Sequence, residues 1–399
     1  MKYWMRNLYA KTKPSDISSK KCVLIVSAIL DAWGGSEELW SACVPILQKR
    51  NFHVVVAKSV VHPEHPKIAL HQKNGVQFLE TNPKRHVVAR IWGRLQKKWK
   101  RNLPGFVQTD PIRNFKMHLV KQKPSLVILS QGINFDGVGY MYACMEMGIP
   151  YVIISHKAAE SFWPWPADRT CIQQIFLNAK ACFFVSRHNQ QLTQEQFGLS
   201  LPHSRIIFNP VRVTRTVPFP TVMSTFHICC IGRLFIVDKG QDILLRILSR
   251  PVWKTRNIHL TIFGSGPDEV GLKALVNYLE IDQVTFAGFT NDFEEIWKNQ
   301  HALVAPSRCE GLPLTIVEAM KTGRPVITTN AGGSAEFIED NVTGFVSHCS
   351  QESFEDAMER AWARRYEWKE IGEEARKAID HILPAHPEQD FIDMLTDFL

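Results

Sequence analysis

The chain has 399 residues, of which 45% are hydrophobic and 22% are charged. This length exceeds what one hydrophobic core usually supports, and the composition excludes a disordered chain, so two globular domains are predicted. The formal net charge of +8 suits a polyanionic partner. The excess is concentrated in residues 84–101, which contain eight Lys or Arg and no acidic residue.

The first apolar run, from Cys22 to Leu30, is too short to span a bilayer. A basic stretch of 21 residues precedes it, as in a secretory signal peptide. However, Trp33-Gly34-Gly35-Ser36 follows in place of a small-residue cleavage site, which favours a buried first strand. The nine cysteines are scattered without a CxxC pair. This pattern is typical of reduced thiols and not of a disulfide framework or a zinc site, so a cytoplasmic protein is expected.

The basic segment 84–101 interleaves Trp92 and Trp99 with its cations. One interpretation is docking on an anionic membrane, which would make the protein peripheral on the inner face of the membrane, or capture of an anionic acceptor. The other is a solvated helix face whose tryptophans reach the core. The sequence leaves both interpretations open.

Apolar, β-branched runs alternate with helical patterns in both halves of the chain, which predicts two parallel sheets. Residues 213–224 contain Pro218 and Pro220 without a periodic pattern, as in an interdomain linker. The last residues form a short amphipathic helix that could pack outside its own domain. The predicted segments are an N-terminal domain (1–210), a linker (211–224), a C-terminal domain (225–380) and the final helix (381–399).

Glycines and polar residues follow several predicted strands, and the carboxyl ends of parallel strands are where ligands bind. The pair Gly34-Gly35 lies between the first strand and its helix, whose N-terminus offers N–H groups to an anion. A plain turn would fit that stretch equally well. His156 ends the strand at 151–155, although a single His in this place is more often structural.

In the second half, Arg233 and Lys239 follow the strand at 226–231. Two cations at a strand end can bind a diphosphate, whereas the alternative is an ordinary pair of surface charges. Gly264 and Gly266 follow the next strand and favour a ligand crevice.

Glu310 and Glu318 stand eight positions apart across a predicted turn and helix. Pro313 suits the first helical turn, which places Glu318 roughly 8 Å further along the axis at ~1.5 Å per residue. This spacing favours two separate contacts with the hydroxyl groups of an extended ligand. It does not exclude a pair of acid–base carboxylates, and the spacing is frequent by chance. No Asp-x-Asp triplet or metal-ligand cluster occurs, so no metal is expected, because Arg233 and Lys239 could neutralise a diphosphate leaving group.

Together these motifs resemble glycosyltransferase family 4, retaining enzymes with the GT-B fold. The resemblance covers nearly the whole chain and is strongest from Ile228 to Phe345. One departure lies at the hinge, where Asn209-Pro210-Val211-Arg212 stands in place of the family's frequent Asn-Gly-Val-Asp and reverses a charge. The motifs that carry the resemblance are Gly34-Gly35-Ser36-Glu37, His156, Gly232-Arg233-Leu234, Lys239-Gly240, Phe263-Gly264-Ser265-Gly266-Pro267 and the stretch from Glu310 to Glu318.

The resemblance implies two Rossmann-like domains that face each other across a cleft, with the C-terminal helix crossing back to the N-terminal domain. It implies transfer of a sugar, with retention, from a nucleotide-diphosphate donor to a saccharide or lipid-linked acceptor in cell-surface polysaccharide or glycolipid synthesis. No metal, cofactor or nucleic acid is implied. By resemblance, the catalytic residues are His156 and Glu310, and the donor diphosphate is bound by Gly35, Arg233 and Lys239. The donor sugar and phosphates are contacted by the backbone of Gly311, Leu312, Pro313 and Leu314, and the nucleotide by Gly264, Gly266 and Glu318. The acceptor side is formed by Gly34, Ser36 and Glu37.

Two other functions fit the same fold. A nucleotide-sugar epimerase would need an acid–base carboxylate pair, and none is clear in the sequence. A catalytically silent protein that only binds nucleotide sugars is disfavoured, because His156, Arg233, Lys239, Glu310 and Glu318 are all present.

Overall fold

The computed structural model describes residues 20–82, 110–211, 213, 217–221, 224–290 and 292–399. The basic segment 84–101, with Trp92 and Trp99, lies outside these ranges, so its contact with a membrane stays a prediction. No helix in the described ranges is long and apolar enough to cross a bilayer.

A seven-stranded parallel sheet forms the N-terminal domain, in the order β3-β2-β1-β4-β5-β6-β7. The order reverses direction between β1 and β4, which is where open α/β sheets form their ligand crevice. Every residue of β1 and β4 is buried, as the unbroken apolar runs predict for strands covered on both faces. The strands are β1 (Cys22–Ser27), β2 (His53–Lys58), β3 (Gln77–Glu80), β4 (Leu126–Gln131), β5 (Tyr151–Ser155), β6 (Cys182–Phe184) and β7 (Ser204–Ile206).

Helices cover both faces of this sheet. A 3-10 turn, Gly35–Glu37, leads into the first helix directly after β1. The helices are α1 (Glu38–Lys49), α2 (Pro66–Lys73), α3 (Asp110–Gln122), α4 (Val138–Glu146), α5 (Arg169–Leu177) and α6 (Arg187–Phe197).

A six-stranded parallel sheet forms the C-terminal domain, in the order β10-β9-β8-β11-β12-β13. The strands are β8 (Phe226–Ile231), β9 (Ile258–Phe263), β10 (Val284–Gly288), β11 (Ala302–Ala305), β12 (Val326–Thr329) and β13 (Gly344–Ser347). The helices are α7 (Ile236–Lys239), α8 (Gln241–Leu248), α9 (Pro251–Lys254), α10 (Glu269–Tyr278), α11 (Phe293–Lys298), α12 (Leu314–Lys321), α13 (Gln351–Ala363), α14 (Trp368–Ile382) and α15 (Pro387–Met394).

The last helix, α15, packs on the N-terminal domain, as the fold prediction requires. Phe391 is fully buried, and its ring lies 5.0 Å from that of Phe183 in β6. Asp393 forms an ion pair with Arg50, the residue after α1. The chain therefore crosses between the domains twice, and the predicted two-domain GT-B architecture is confirmed.

Arg324, in the turn before β12, attaches the linker to the C-terminal domain. Its side chain is fully buried, and its guanidinium donates to the carbonyl groups of Val217 (2.6 Å), Pro218 (2.7 Å), Trp297 (2.5 Å) and Gln300 (3.2 Å). Burial lowers the pKa of Arg324 to about 10. The planar fork of donors satisfies several buried carbonyl groups at once, a task that the single ammonium group of a Lys could not perform.

Candidate active site

The loops that follow the strands of both sheets meet in a cleft. Gly311 follows β11, and a Cβ atom placed on it would lie 1.7 Å from the carbonyl oxygen of His156, which follows β5. A Cβ atom on Gly35 would lie 3.9 Å from Leu314, at the start of α12. The fold therefore brings together three predicted features: the loop around Gly34-Gly35 (the glycine loop), His156 and the turn at Glu310.

His156 is 7% exposed, and its Nε2 lies 3.1 Å from the hydroxyl oxygen of Ser130. That hydroxyl donates its own proton to the carbonyl of Ser36, so it accepts from His156 Nε2–H. Burial lowers the pKa of His156 to about 3, which keeps the ring neutral near pH 7. The remaining nitrogen, Nδ1, is thus an acceptor, and it is buried with no partner among the described residues. A sugar hydroxyl is a suitable donor for such a nitrogen.

Glu37 does not face the acceptor side, and that prediction is wrong for its carboxylate. Its side chain is fully buried beneath the glycine loop. It accepts hydrogen bonds from Ser27 at 2.5 Å and from the indole of Trp40, and it forms a 2.5 Å ion pair with Lys58. Glu37 therefore fixes the loop to the sheet, and Gly35 faces Leu314 across the cleft. The acceptor-side role of Gly34 and Ser36 stays a prediction.

Lys239 and Glu310 form an ion pair at the C-terminal side of the cleft. Lys239 Nζ lies 2.5 Å from Glu310 Oε1, and the Ser307 hydroxyl donates to the same oxygen at 2.8 Å. Burial opposes the charge of Lys239, but the charge of Glu310 and the hydrogen bond to it outweigh burial, so the pKa of Lys239 is raised. The ammonium group is therefore fully charged near pH 7 and holds Glu310 in a fixed orientation.

Arg233 stands beside this pair and reaches across the cleft. A Cβ atom on the preceding Gly232 would lie 3.4 Å from Lys239, which places both cations on one turn. The guanidinium of Arg233 lies 3.1 Å from the carboxylate of Asp31, in the loop after β1. Its side chain is 54% exposed, so it can exchange this carboxylate for a phosphate group.

The two glycines after β9 have a packing role. A Cβ atom on Gly264, whose φ is +131°, would lie 1.9 Å from the carbonyl oxygen of Gly232. A Cβ atom on Gly266 would lie 2.3 Å from that of Leu234. Side chains at these two positions would push the turn after β9 away from the turn after β8, which carries Arg233. Their contact with a nucleotide stays a prediction.

The turn at Glu310 leads into α12, which begins at Leu314 with Pro313 as its N-cap. The sequence predicts that Pro313 lies inside the first helical turn, so the predicted helix begins one residue too early. Pro313 has no side-chain group that could cap the helix, which leaves the first N–H groups of α12 open to an anion or a sugar oxygen. The N–H of Gly333, after β12, donates to the carbonyl of Gly311 at 2.6 Å and holds this turn. Glu318 lies inside α12 and is 2% exposed.

Parts of this chain are similar in sequence to known proteins. Residues 225–364 match the family model of glycosyl transferases group 1. This match lies within the C-terminal domain. An uncharacterized glycosyltransferase of Haemophilus influenzae is 35% identical over 133 residues, which are 33% of this chain and 37% of the relative. A GDP-mannose-dependent alpha-(1-6)-phosphatidylinositol monomannoside mannosyltransferase of Mycobacterium tuberculosis is 27% identical over 222 residues, 50% of this chain and 57% of the relative.

These matches therefore span about half or less of each relative. Over nearly the whole chain, the similarity is one of fold. The Anabaena protein HepE, solved in complex with UDP, superimposes with a TM-score of 0.69 at 16% identity, covering 94% of this chain and 99% of HepE. The apo form of the lipopolysaccharide outer core galactosyltransferase WaaB gives 0.68 at 18% identity, covering 95% and 100%. Both comparisons support the GT-B fold.

Two further polar contacts join the N-terminal and C-terminal domains, and neither was predicted. Lys157 Nζ lies 2.8 Å from Asp238 in α7. The carboxylate of Glu336 accepts from the N–H groups of Arg187 (3.1 Å) and His188 (2.7 Å), at the start of α6. Lys157 adjoins His156, and Asp238 adjoins Lys239, so proximity to the motif residues was the one signal that the sequence offered.

The Lys157–Asp238 pair is expected to favour the closed cleft. Lys157→Met should lower the ratio of closed to open molecules about fivefold, because a partly exposed ion pair contributes about 1 kcal/mol. Small-angle X-ray scattering should then report a larger radius of gyration. The charge-swapped variant Lys157→Asp/Asp238→Lys should restore the compact form. Loss of an ion pair inside the C-terminal domain, by Lys321→Met opposite Asp380, is the matched control and should leave the radius unchanged. An unchanged radius in Lys157→Met would show that the pair has no part in closure.

No group of three or more His, Cys, Asp or Glu side chains within the described ranges is arranged to hold a metal ion. The charged groups of the cleft include the cations Arg233 and Lys239 and the carboxylates Asp31 and Glu310. This arrangement suits a ligand that carries both phosphate groups and hydroxyl groups.

Proposed function

We propose that the protein is a retaining glycosyltransferase that moves a sugar from a nucleotide-diphosphate donor to an acceptor hydroxyl. The observation that carries this proposal is the Lys239–Glu310 ion pair beside Arg233, in the cleft that also holds the unpartnered nitrogen of His156. The match of residues 225–364 to the family model of glycosyl transferases group 1 supports it. So does the mycobacterial relative, which uses GDP-mannose, and HepE has also been solved with UDP-glucose.

In the proposed reaction, Arg233 and Lys239 bind the donor diphosphate and stabilise the charge that develops as the bond from the anomeric carbon to the phosphate oxygen breaks. The N–H groups at the start of α12 add to this stabilisation. Because two cations and a helix N-terminus converge there, we propose that no metal ion is required. Glu310 and the neutral His156 accept hydrogen bonds from hydroxyl groups of the donor sugar, and Glu318 contacts the ribose.

Retention requires that the new bond forms on the face from which the phosphate leaves. We propose that the acceptor oxygen attacks the anomeric carbon on that face, while its proton passes to the departing phosphate oxygen. One carbon–oxygen bond breaks and one forms, and the proton ends on the released nucleotide diphosphate. No covalent intermediate is involved, so a trapped glycosyl-enzyme, or a product with the inverted anomer, would contradict this route.

We propose a saccharide or lipid-linked acceptor that belongs to a cell-surface polysaccharide or glycolipid. Support comes from the names of similar proteins, which include a phosphatidylinositol mannoside mannosyltransferase and a lipopolysaccharide galactosyltransferase. The basic segment 84–101 would bring the protein to the inner face of a membrane, where such acceptors are found. That part of the proposal rests on the sequence.

The donor can be identified by thermal unfolding in the presence of UDP-sugars and GDP-sugars. At a hundred times its dissociation constant, the true donor is expected to stabilise the native protein by about 2.7 kcal/mol and to raise its unfolding temperature accordingly. Lys239→Met should abolish the shift, because it removes a diphosphate contact, whereas Lys273→Met on the surface of α10 should retain it. If none of the nucleotide sugars shifts the wild-type protein, the proposed function is wrong.

A further inference from the structure

An exposed aromatic loop, residues 158–168, follows β5 directly after His156 and Lys157. Three of its side chains are largely exposed, Phe162 (42%), Trp163 (54%) and Trp165 (76%). Large apolar side chains clustered on a surface are costly in water, and such patches usually mark a place where something binds. The proposed donor chemistry uses none of these three residues.

The stem of this aromatic loop is held by a buried pair of amides. Asn134, after β4, donates its side-chain N–H to Gln196 of α6 at 2.6 Å, and both residues are fully buried. Asn134 also binds the loop backbone, through its N–H to the carbonyl of Lys157 (2.7 Å) and through its Oδ1 from the N–H of Ala159 (3.3 Å). Gln196 donates to the carbonyl of Ala159 at 2.8 Å. The stem is therefore fixed to the core of the N-terminal domain.

The tip is also ordered by its own contacts. The indole N–H of Trp163 donates to the carbonyl of Glu160 at 2.8 Å, which fixes one ring. The carbonyl of Trp165 accepts from the N–H groups of Asp168 and Arg169, both at 2.9 Å, so its backbone is joined to the start of α5. Pro164, between the two tryptophans, is buried. Aromatic rings that are already held in place lose little conformational entropy when a ligand binds.

The loop lies at the edge of the cleft, on its N-terminal side. Its stem approaches the C-terminal domain, where Cys309 Sγ lies 3.9 Å from the carbonyl oxygen of Ala158. The carboxylate of Glu160 lies 3.3 Å from the ring of His188, next to the point where Glu336 crosses the cleft. The exposed rings begin two residues further along the chain. A long acceptor that leaves the reaction centre beside His156 on this side of the cleft would pass over them.

We propose that Trp163 and Trp165 form a saccharide-binding platform on which pyranose rings of the acceptor stack, beyond the ring that receives the new sugar. This inference rests on the proposed function, since it concerns the acceptor of that reaction. The C–H face of a pyranose is apolar and partly positive, so it complements the electron-rich face of an indole. The carboxylates of Glu160 and Asp168, at either side of the tip, can accept hydrogen bonds from the sugar hydroxyl groups.

A lipid surface fits this loop less well. Residues 158–168 contain two acidic residues and no Lys or Arg, which is unfavourable beside anionic headgroups. The N–H of Trp163 is already used within the loop, whereas an interfacial tryptophan offers that group to the headgroup region. The charge and the fixed indole thus favour a neutral or polar saccharide.

The platform can be tested by comparing wild-type protein with Trp163→Ala/Trp165→Ala on an array of immobilised oligosaccharides. The wild-type protein is expected to retain a subset of the oligosaccharides, and the double variant should lose at least ten-fold in apparent affinity for that subset. Tyr278→Ala, which removes an aromatic side chain that is 83% exposed on α10, is the matched control and should bind as the wild type does. The donor-induced thermal shift should be the same in all three proteins, which shows that the double variant is folded and that its donor site is intact.

Equal binding by the wild type and the double variant would overturn the proposal, and so would a wild-type protein that retains no oligosaccharide. Sedimentation with phosphatidylglycerol vesicles distinguishes the lipid alternative, because loss of vesicle binding in the double variant, with unchanged array binding, would assign the loop to a membrane. The proposed function is judged separately. If the protein binds oligosaccharides through these tryptophans but shows no thermal shift with any nucleotide sugar, the saccharide-binding platform is supported and the proposed glycosyltransferase function is contradicted.

Discussion

Lys58→Met is expected to lower the free energy of unfolding by about 3–5 kcal/mol, because it leaves the carboxylate of Glu37 buried without its cation. Both side chains of the Lys58–Glu37 pair are 1% exposed, so water cannot replace the lost partner. The Ser27 hydroxyl, which accepts from Lys58 at 2.8 Å and donates to Glu37, would also lose a contact. Denaturation by guanidinium chloride, followed by circular dichroism, measures the effect.

Lys67→Met is the matched control. Lys67 also pairs with a glutamate of the same region, Glu38, at 2.6 Å, but its side chain is 40% exposed, so the expected loss is below about 1 kcal/mol. The double variant Glu37→Gln/Lys58→Met should recover part of the loss, since it removes both charges and keeps an acceptor for the indole of Trp40. If Lys58→Met is no more destabilising than Lys67→Met, the buried pair does not hold the glycine loop.

Lys239→Met is expected to lower kcat/KM for sugar transfer by about 10²–10³, or roughly 2.7–4 kcal/mol, because it removes a fixed charge from the place where the diphosphate charge develops. The raised pKa of Lys239 means that this charge is present at every pH at which the protein is studied near neutrality. Measured initial rates with the donor found by thermal shift give the effect. Lys273→Met, the same substitution on a surface ion pair of α10, should change kcat/KM less than twofold.

Glu310→Ala tests the other half of the ion pair. Lys239 orients Glu310, so the effects of Lys239→Met and Glu310→Ala should not add in the double variant. Release of nucleotide from the donor in the absence of acceptor provides a second measurement for the same proteins. Equal rates of release by the wild type and Glu310→Ala would contradict the role given to this carboxylate and, with it, the proposed reaction.

The elements that the sequence predicts well are the ones whose pattern is local. The buried strands, the glycine turns after them and the strand, turn and helix around Glu310 follow from apolar runs and from the residues that end them. Helices α2 and α5 and strand β13 were not predicted, because each is short, and packing on the sheet stabilises them. The crossing of α15 to the N-terminal domain was anticipated from the Pro residues before an amphipathic stretch.

The parts of the site that could not be predicted from the sequence depend on residues that are far apart in the chain. Glu37 looks like an acid in the exposed first turn of a helix, and its burial becomes evident only when Lys58 from the next strand is placed beneath it. From the sequence alone, Arg324 resembles an exposed cation in a turn. In the structure, its guanidinium is enclosed by backbone carbonyl groups. Asp31 and Glu336 have no motif around them, and only the approach of the two domains brings them to Arg233 and α6.

The contact between Gly311 and the carbonyl of His156 has a consequence for how sequences on this fold can vary. The two backbones meet so closely that even the methyl group of an alanine at position 311 could not fit unless the end of β5 withdrew. A change on one domain at this point must therefore be matched by a change on the other. The aromatic loop a few residues away is under no such restriction, because its tip faces solvent. If this loop binds the acceptor as we propose, new acceptor preferences can arise there by substitution of single residues, while the proposed donor side keeps its fit.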